Sequence, residues 1–146
     1  MSKKNIYYAV VDDHEIFRKG IIAALADTPE LELAFEAGNG KELLNALAKN
    51  RPDVILLDLK MPEMDGIETI KELRKKDDEV KVIVMSMYDE DKYIIQSMEI
   101  GANGYLLKDA KPEEIKTSIF TAYETGYYFN DLVNKALLKR IVPKHK

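Results

Sequence analysis

The sequence contains no cysteine, which excludes disulfides, thiol catalysis and cysteine-ligated metal centres. It has two histidines, His14 and His145, too far apart in sequence to suggest a histidine-rich zinc site. No apolar run approaches the ~20 residues that a membrane helix needs. The lysine-bearing start, MSKKNIYY, includes no apolar segment of signal-peptide length. Secretion is therefore not expected, and a cytoplasmic location is. Internal repeats and low-complexity segments are also lacking.

The 146 residues suit one domain of ordinary size, and at 46% hydrophobic they can bury a sizeable core. The net charge of −4 is unevenly spread. Residues 127–146 hold five Lys/Arg against one Asp, a local +4, which leaves −8 on the rest. An acidic body argues against nucleic-acid binding by that body. The basic tail is expected to be a solvated linker.

Strand and helix patterns alternate along the chain. Ile6–Val11 is apolar and β-rich and ends in Asp12-Asp13. From His14 to Asp27, Phe17, Ile21, Ala24 and Leu25 recur at helical spacing. Leu31–Glu36 alternates apolar and polar, as a half-exposed strand does, and Gly38-Asn39-Gly40 is a turn. Lys41–Asn50 puts Leu43, Leu44 and Leu47 on one helical face.

Val54–Leu57 is a continuous apolar strand ending at Asp58, followed by a loop at Met61–Gly66. Ile67, Ile70 and Leu73 mark the next helix, with Asp65 and Glu68 at capping-box spacing. Val80–Met85 is a second apolar strand, Asp89–Ile100 a helix stopped by Gly101, and Gly104–Leu107 a short strand. Pro112 suits the first turn of a helix whose face is Ile115, Ile119, Ala122 and Tyr123.

Five βα units predict an α/β doubly wound parallel sheet with helices on both faces. The continuously apolar strands should be interior and Leu31–Glu36 nearer an edge. One domain is expected over residues 1–126. Residues 127–146 lie outside the five units, as a linker or an extra helix over Asp131–Ile141 that Pro143 stops.

Ligands of such sheets bind beyond the carboxyl ends of the strands, where the strand order reverses. Asp12, Asp13 and Asp58 sit at such ends. Convergence of three carboxylates is costly unless a cation offsets it, and oxygen donors select a hard ion such as Mg²⁺. Either residue of the Asp12-Asp13 pair could instead cap the first helix, and Asp12 has capping-box spacing to Glu15. Ser86 follows the fourth strand and Lys108 the fifth, a hydroxyl and an ammonium suited to a phosphoryl group.

Asp12-Asp13, the stretch Asp58-Leu59-Lys60-Met61-Pro62-Glu63-Met64-Asp65-Gly66, Ser86 and Lys108 together resemble the response-regulator receiver domain. The likeness spans residues 6 to about 126. It implies a flavodoxin-like (βα)5 fold with strand order 2-1-3-4-5. It further implies that Asp58 accepts a phosphoryl group from a sensor histidine kinase. Asp13, the Asp58 side chain and the Lys60 carbonyl would hold Mg²⁺, with Asp12 acting through water. Lys108 would pair with phosphoryl oxygens, Ser86 would swing to bond one, Tyr105 would be the switch aromatic, and Pro62 would shape the loop.

From spacing alone, Tyr105 could equally be a half-buried aromatic on an edge strand. Asp12–Arg18 and Gly101–Ala110 are similar to the NarL/LuxR-type transcription regulators, in which a helix-turn-helix DNA-binding domain follows the receiver. A fragment of such a regulator is expected in preference to a stand-alone receiver, with a phosphorylation-dependent homodimer among its states. Lys60 is expected to place a mobile charge beside the acceptor, and Lys111 and Met87 are departures from or variations on the pattern.

A receiver is a switch, not a metabolic enzyme. Two other classes fit less well. A phosphohydrolase of the haloacid-dehalogenase type would carry an Asp two residues after the nucleophile, where this chain has Lys60. A flavodoxin-like cofactor binder would need Ser, Thr and Gly after the first strand, where this chain has Asp-Asp-His-Glu.

Overall fold

The structure is a computed structural model, described here for residues 5–142. The strands are β1 (Ile6–Val11), β2 (Leu31–Ala37), β3 (Val54–Asp58), β4 (Lys81–Ser86) and β5 (Gly104–Leu107). The helices are α1 (Glu15–Leu25), α2 (Gly40–Leu47), α3 (Gly66–Lys76), α4 (Asp91–Glu99), α5 (Pro112–Thr125) and α6 (Asp131–Ile141). All five strands pair in parallel in the order β2-β1-β3-β4-β5. The alternating segment is β2, at an edge, and the continuously apolar segments are β3 and β4, inside.

Side chains of successive strand residues point to opposite faces, so each strand feeds two apolar layers. Ile55 and Leu57 join Leu43, Ile70, Leu73 and Ile94, under α2, α3 and α4. Val54 and Leu56 join Ile21, Leu25, Ile115 and Ile119, under α1 and α5. The sheet is covered on both sides, which explains the unbroken apolar runs.

Local chemistry sets several boundaries. Asp65 caps α3 by accepting from the Glu68 N–H at 2.9 Å, as the spacing predicts. Asn39 caps α2 in the same way through Glu42. Gly101 ends α4 with a left-handed φ of 119°, which L side chains adopt at a cost. Lys111 precedes Pro112 of α5 and makes no side-chain cap bond.

After α5 the chain forms a further helix, α6, over Asp131–Ile141. Asn130 caps α6 by accepting from the Val133 N–H at 2.9 Å. Val133 and Ala136 are fully buried in the layer that contains Ile94 and Tyr105. The basic residues Lys139 and Arg140 face Asp91 and Glu99 of α4, at 3.2 and 2.8 Å. An acidic α4 gives this basic helix a seat. Pro143, the expected stop, lies outside the described residues. No described helix is long and apolar enough to cross a membrane.

Candidate functional site

β2 lies on one side of β1 and β3 on the other, so the strand order reverses between β1 and β3. Their carboxyl ends border the crevice where open α/β sheets bind ligands. Asp12 and Asp13 leave β1 there, and Asp58 ends β3. One ligand atom from each of Asp12, Asp13, His14 and Asp58 lies within 4.8 Å of the others.

Asp12 is not the cap of α1. His14 holds that position without a side-chain cap bond. Asp12 Oδ1 accepts from the His14 N–H at 2.8 Å, a local turn that points its carboxylate inward. Arg18 fixes the same turn from α1, donating to the Asp12 carbonyl at 2.6 Å and pairing with Glu36 at 3.1 Å. His14 Nδ1 stands 3.1 Å from Asp12 and 3.2 Å from Asp13.

Lys108 reaches the pocket from the end of β5. Its Nζ lies 2.6 Å from Asp12 Oδ2 and 3.3 Å from Asp58 Oδ1. The Phe17 ring packs against it, with Nζ 4.6 Å from the ring centroid. Asp12 Oδ2 is buried and, despite the nearby ammonium, accepts no hydrogen bond; the contact is an ion pair outside hydrogen-bond angles. Asp58 is 5% exposed. Burial, and next the Asp12 carboxylate, push it up to about 6, against the pull of Lys108 and the Lys60 N–H. Three carboxylates, one of them with an unbonded buried oxygen, suit a hard divalent cation.

Ser86 and Tyr105 adjoin this pocket. Ser86 is buried, and its Oγ accepts from the Tyr88 N–H at 3.0 Å. Tyr105 is fully buried, not half-buried as an ordinary edge aromatic would be. Its hydroxyl donates to the Tyr88 carbonyl at 2.6 Å. Burial pushes its phenol up to about 12, against a downward pull from the Ser86 hydroxyl. Lys60 does not leave a loose charge beside Asp58; its ammonium lies 5.5 and 5.1 Å from the ring centroids of Tyr88 and Tyr93. Met87 is 80% exposed.

The loop after Asp58 is closed by two backbone bonds. The Met64 N–H reaches the Pro62 carbonyl at 2.7 Å across Glu63, whose φ is 67°. That is a γ-turn in its strained form. The Gly66 N–H reaches the Leu59 carbonyl at 2.8 Å. A Cβ at Gly66 would stand 2.5 Å from the Asp58 carbonyl oxygen, so only glycine lets the start of α3 come this close.

Asp12, Asp13, Asp58 and Lys108 thus meet in one pocket; the Lys108 N–H donates to the Ser86 carbonyl at 2.8 Å, and Ser86 and Tyr105 are joined to each other through Tyr88. Sequence reasoning gave Phe17 and Arg18 no role in the site, placing them on the first helix and in the subtype resemblance, and as a metal ligand it weighed His14 only for zinc. The pair Asp12-Asp13 followed within a few residues by an aromatic and an arginine was the available signal for the first two.

Comparison with known proteins agrees with this fold. The family model of the response regulator receiver domain matches residues 9–120. The chain is 32% identical over 139 residues to the transcriptional regulatory protein DegU of Brevibacillus brevis, covering 95% of this chain and 59% of that one. It is 34% identical over 113 residues to the nitrate/nitrite response regulator protein NarL of Escherichia coli K12, covering 77% and 52%. The chain therefore spans little more than half the length of these relatives. The signal receiver domain of the putative response regulator NarL from Mycobacterium tuberculosis superposes with a TM-score of 0.79 at 32% identity, covering 84% of this chain and 98% of that one. Sheet order and family match agree: the chain belongs to the response regulator receiver domain family, with NarL- and DegU-type regulators as its relatives.

Proposed function

We propose that Asp58 is the phosphoacceptor of a signalling switch driven by a sensor histidine kinase. The observation that carries this reading is Lys108 set between the buried carboxylates of Asp12 and Asp58, at 2.6 and 3.3 Å. An Asp58 oxygen would attack the phosphorus of a phosphohistidine. The phosphorus–nitrogen bond breaks, and the imidazole leaves with the electron pair and takes a proton from solvent. Mg²⁺, when bound, supplies the positive charge that lets an anionic donor approach the cluster. Asp13, Asp58 and the Lys60 carbonyl would hold it directly, and Asp12 through water. Both Asp12 oxygens already face His14 or Lys108, whereas the Asp13 side chain is 29% exposed and freer to ligate.

Lys108 then binds phosphoryl oxygens, and Ser86 turns from the Tyr88 N–H to bond another. Tyr105, tied to Tyr88, responds as the switch aromatic, while Pro62 holds the turn that carries the Lys60 carbonyl. The chain catalyses only its own gain and loss of the phosphoryl group. In the cytoplasm, the switched state would control a homodimer and, in the full regulator, a helix-turn-helix domain that contacts DNA and lies outside this sequence. The names of the DegU and NarL relatives support a transcriptional output.

Intact-mass spectrometry with acetyl phosphate tests the assignment. One added phosphoryl group is expected with Mg²⁺ and none with EDTA. Equal modification of wild type and Asp58→Asn would refute it.

A further inference from the structure

Helix α6 is held by two anchors that belong to different bodies. At its start, Asn130 Nδ2 donates to the Tyr105 carbonyl of β5 at 3.1 Å and to Glu114 of α5 at 3.2 Å. Toward its end, Lys139 and Arg140 pair with Asp91 and Glu99, the two ends of α4. Between these anchors Val133 and Ala136 are fully buried, in the layer that contains Ile94 of α4 and Tyr105 of β5. Exposed ion pairs contribute little singly, so the apolar contact holds the helix and the charges set its register.

The two bodies are not equally fixed. β5 is hydrogen-bonded into the sheet against β4 from Gly104 to Leu107. α4 follows residues 87–90, which begin directly after Ser86. Two bonds pin this loop: the Tyr88 N–H to Ser86 Oγ, and the Tyr105 hydroxyl to the Tyr88 carbonyl. If the Ser86 hydroxyl turns toward Asp58, the Tyr88 N–H loses its acceptor. The loop then carries the start of α4, with Asp91, away from its present place.

We propose that α6 is a strap across α4 and β5, and that phosphorylation of Asp58 loosens it from its C-terminal half. The inference rests on Asp58 being the phosphoacceptor. A helix seated on a fixed and a moving body cannot keep both seats, because packed interfaces hold discrete arrangements and do not stretch. Asn130 stays with the sheet, while Lys139 loses Asp91 as the start of α4 moves. An eleven-residue helix without packing is marginal in water, so the freed part frays. The strap would thereby report the state of the pocket to whatever adjoins α6.

Hydrogen–deuterium exchange of the chain with and without beryllofluoride and Mg²⁺ tests this. Exchange over residues 135–141 should rise ~10-fold, within the ~5–150-fold range of allosteric couplings, and residues 131–134 should change less. A response at residues 86–90 with exchange in α6 unchanged or slowed would overturn the strap and leave the Asp58 reading standing. No response at either place would overturn the Asp58 reading, and the strap with it.

Discussion

Replacing Asp58 with Asn should make the protein more stable while abolishing its proposed phosphorylation. Asp58 is 5% exposed and stands against Asp12, so its carboxylate is raised from 3.8 to about 6. Each pKa unit corresponds to ~1.4 kcal/mol, which makes the native state bear a penalty of about 3 kcal/mol at neutral pH. A neutral amide removes that penalty, and Lys108 keeps Asp12 as its partner at 2.6 Å. The amide must still satisfy its own donors beside an ammonium, which returns part of the gain, so about 1–3 kcal/mol is expected. For a chain of this size that is a rise in melting temperature of roughly 3–10 °C.

The sign of the pH dependence follows from the raised folded pKa. Above about 6 the native state carries the anion and the whole penalty. Below the unfolded value of 3.8 both states are protonated and the penalty is gone. The advantage of Asp58→Asn should therefore shrink as pH falls from about 6 toward 4. Thermal melts by circular dichroism in EDTA, near pH 7.5 and near pH 4.5, measure it. A variant no more stable than wild type near neutrality, or a gap independent of pH, would show that the carboxylate is not destabilised by its surroundings.

Three further substitutions probe the pocket and its frame. Asp13→Ala should weaken Mg²⁺ binding by ~10-fold or more and Asp12→Ala by less, since a direct ligand contributes more than a water-bridged one; a larger loss at Asp12 in a Mg²⁺ titration would reverse the two roles. Gly66→Ala forces a Cβ to 2.5 Å from the Asp58 carbonyl oxygen and 2.8 Å from Leu59 Cα, so urea unfolding should show a loss of about 1–3 kcal/mol; wild-type stability would mean that the loop yields freely. Asn103→Ala removes the acceptor of the buried Val82 N–H and of Arg74, and the donor to the Gly126 carbonyl. Urea unfolding should register about 2–4 kcal/mol, because a buried unpaired donor costs ~1–3 kcal/mol on its own; a loss under about 1 kcal/mol would show that water replaces the amide.

Much of this protein is written in local pattern. The twofold and 3.6-fold apolar periods place the strands and helices, and chain chirality admits few ways to wind them. Even so, individual ends moved, β4 starting at Lys81 and not Val80, and α4 at Asp91 and not Asp89. Ends are set by hydrogen-bond geometry, to which side-chain period is blind. Strand ends also announce the carboxylates, because a residue that follows a buried strand in a doubly wound sheet must emerge at the carboxyl edge.

Tertiary structure alone decided what those residues touch. Lys108 settles between Asp12 and Asp58, Lys60 turns to Tyr88 and Tyr93, and Tyr105 is wholly enclosed, since each follows from packing between segments distant in sequence. The same holds for α6. A helix over Asp131–Ile141 was one of two readings of the stretch, but a short helix finds its place only where a surface is left uncovered. Here that surface is the acidic flank of α4 beside β5, and no pattern within residues 131–141 names it.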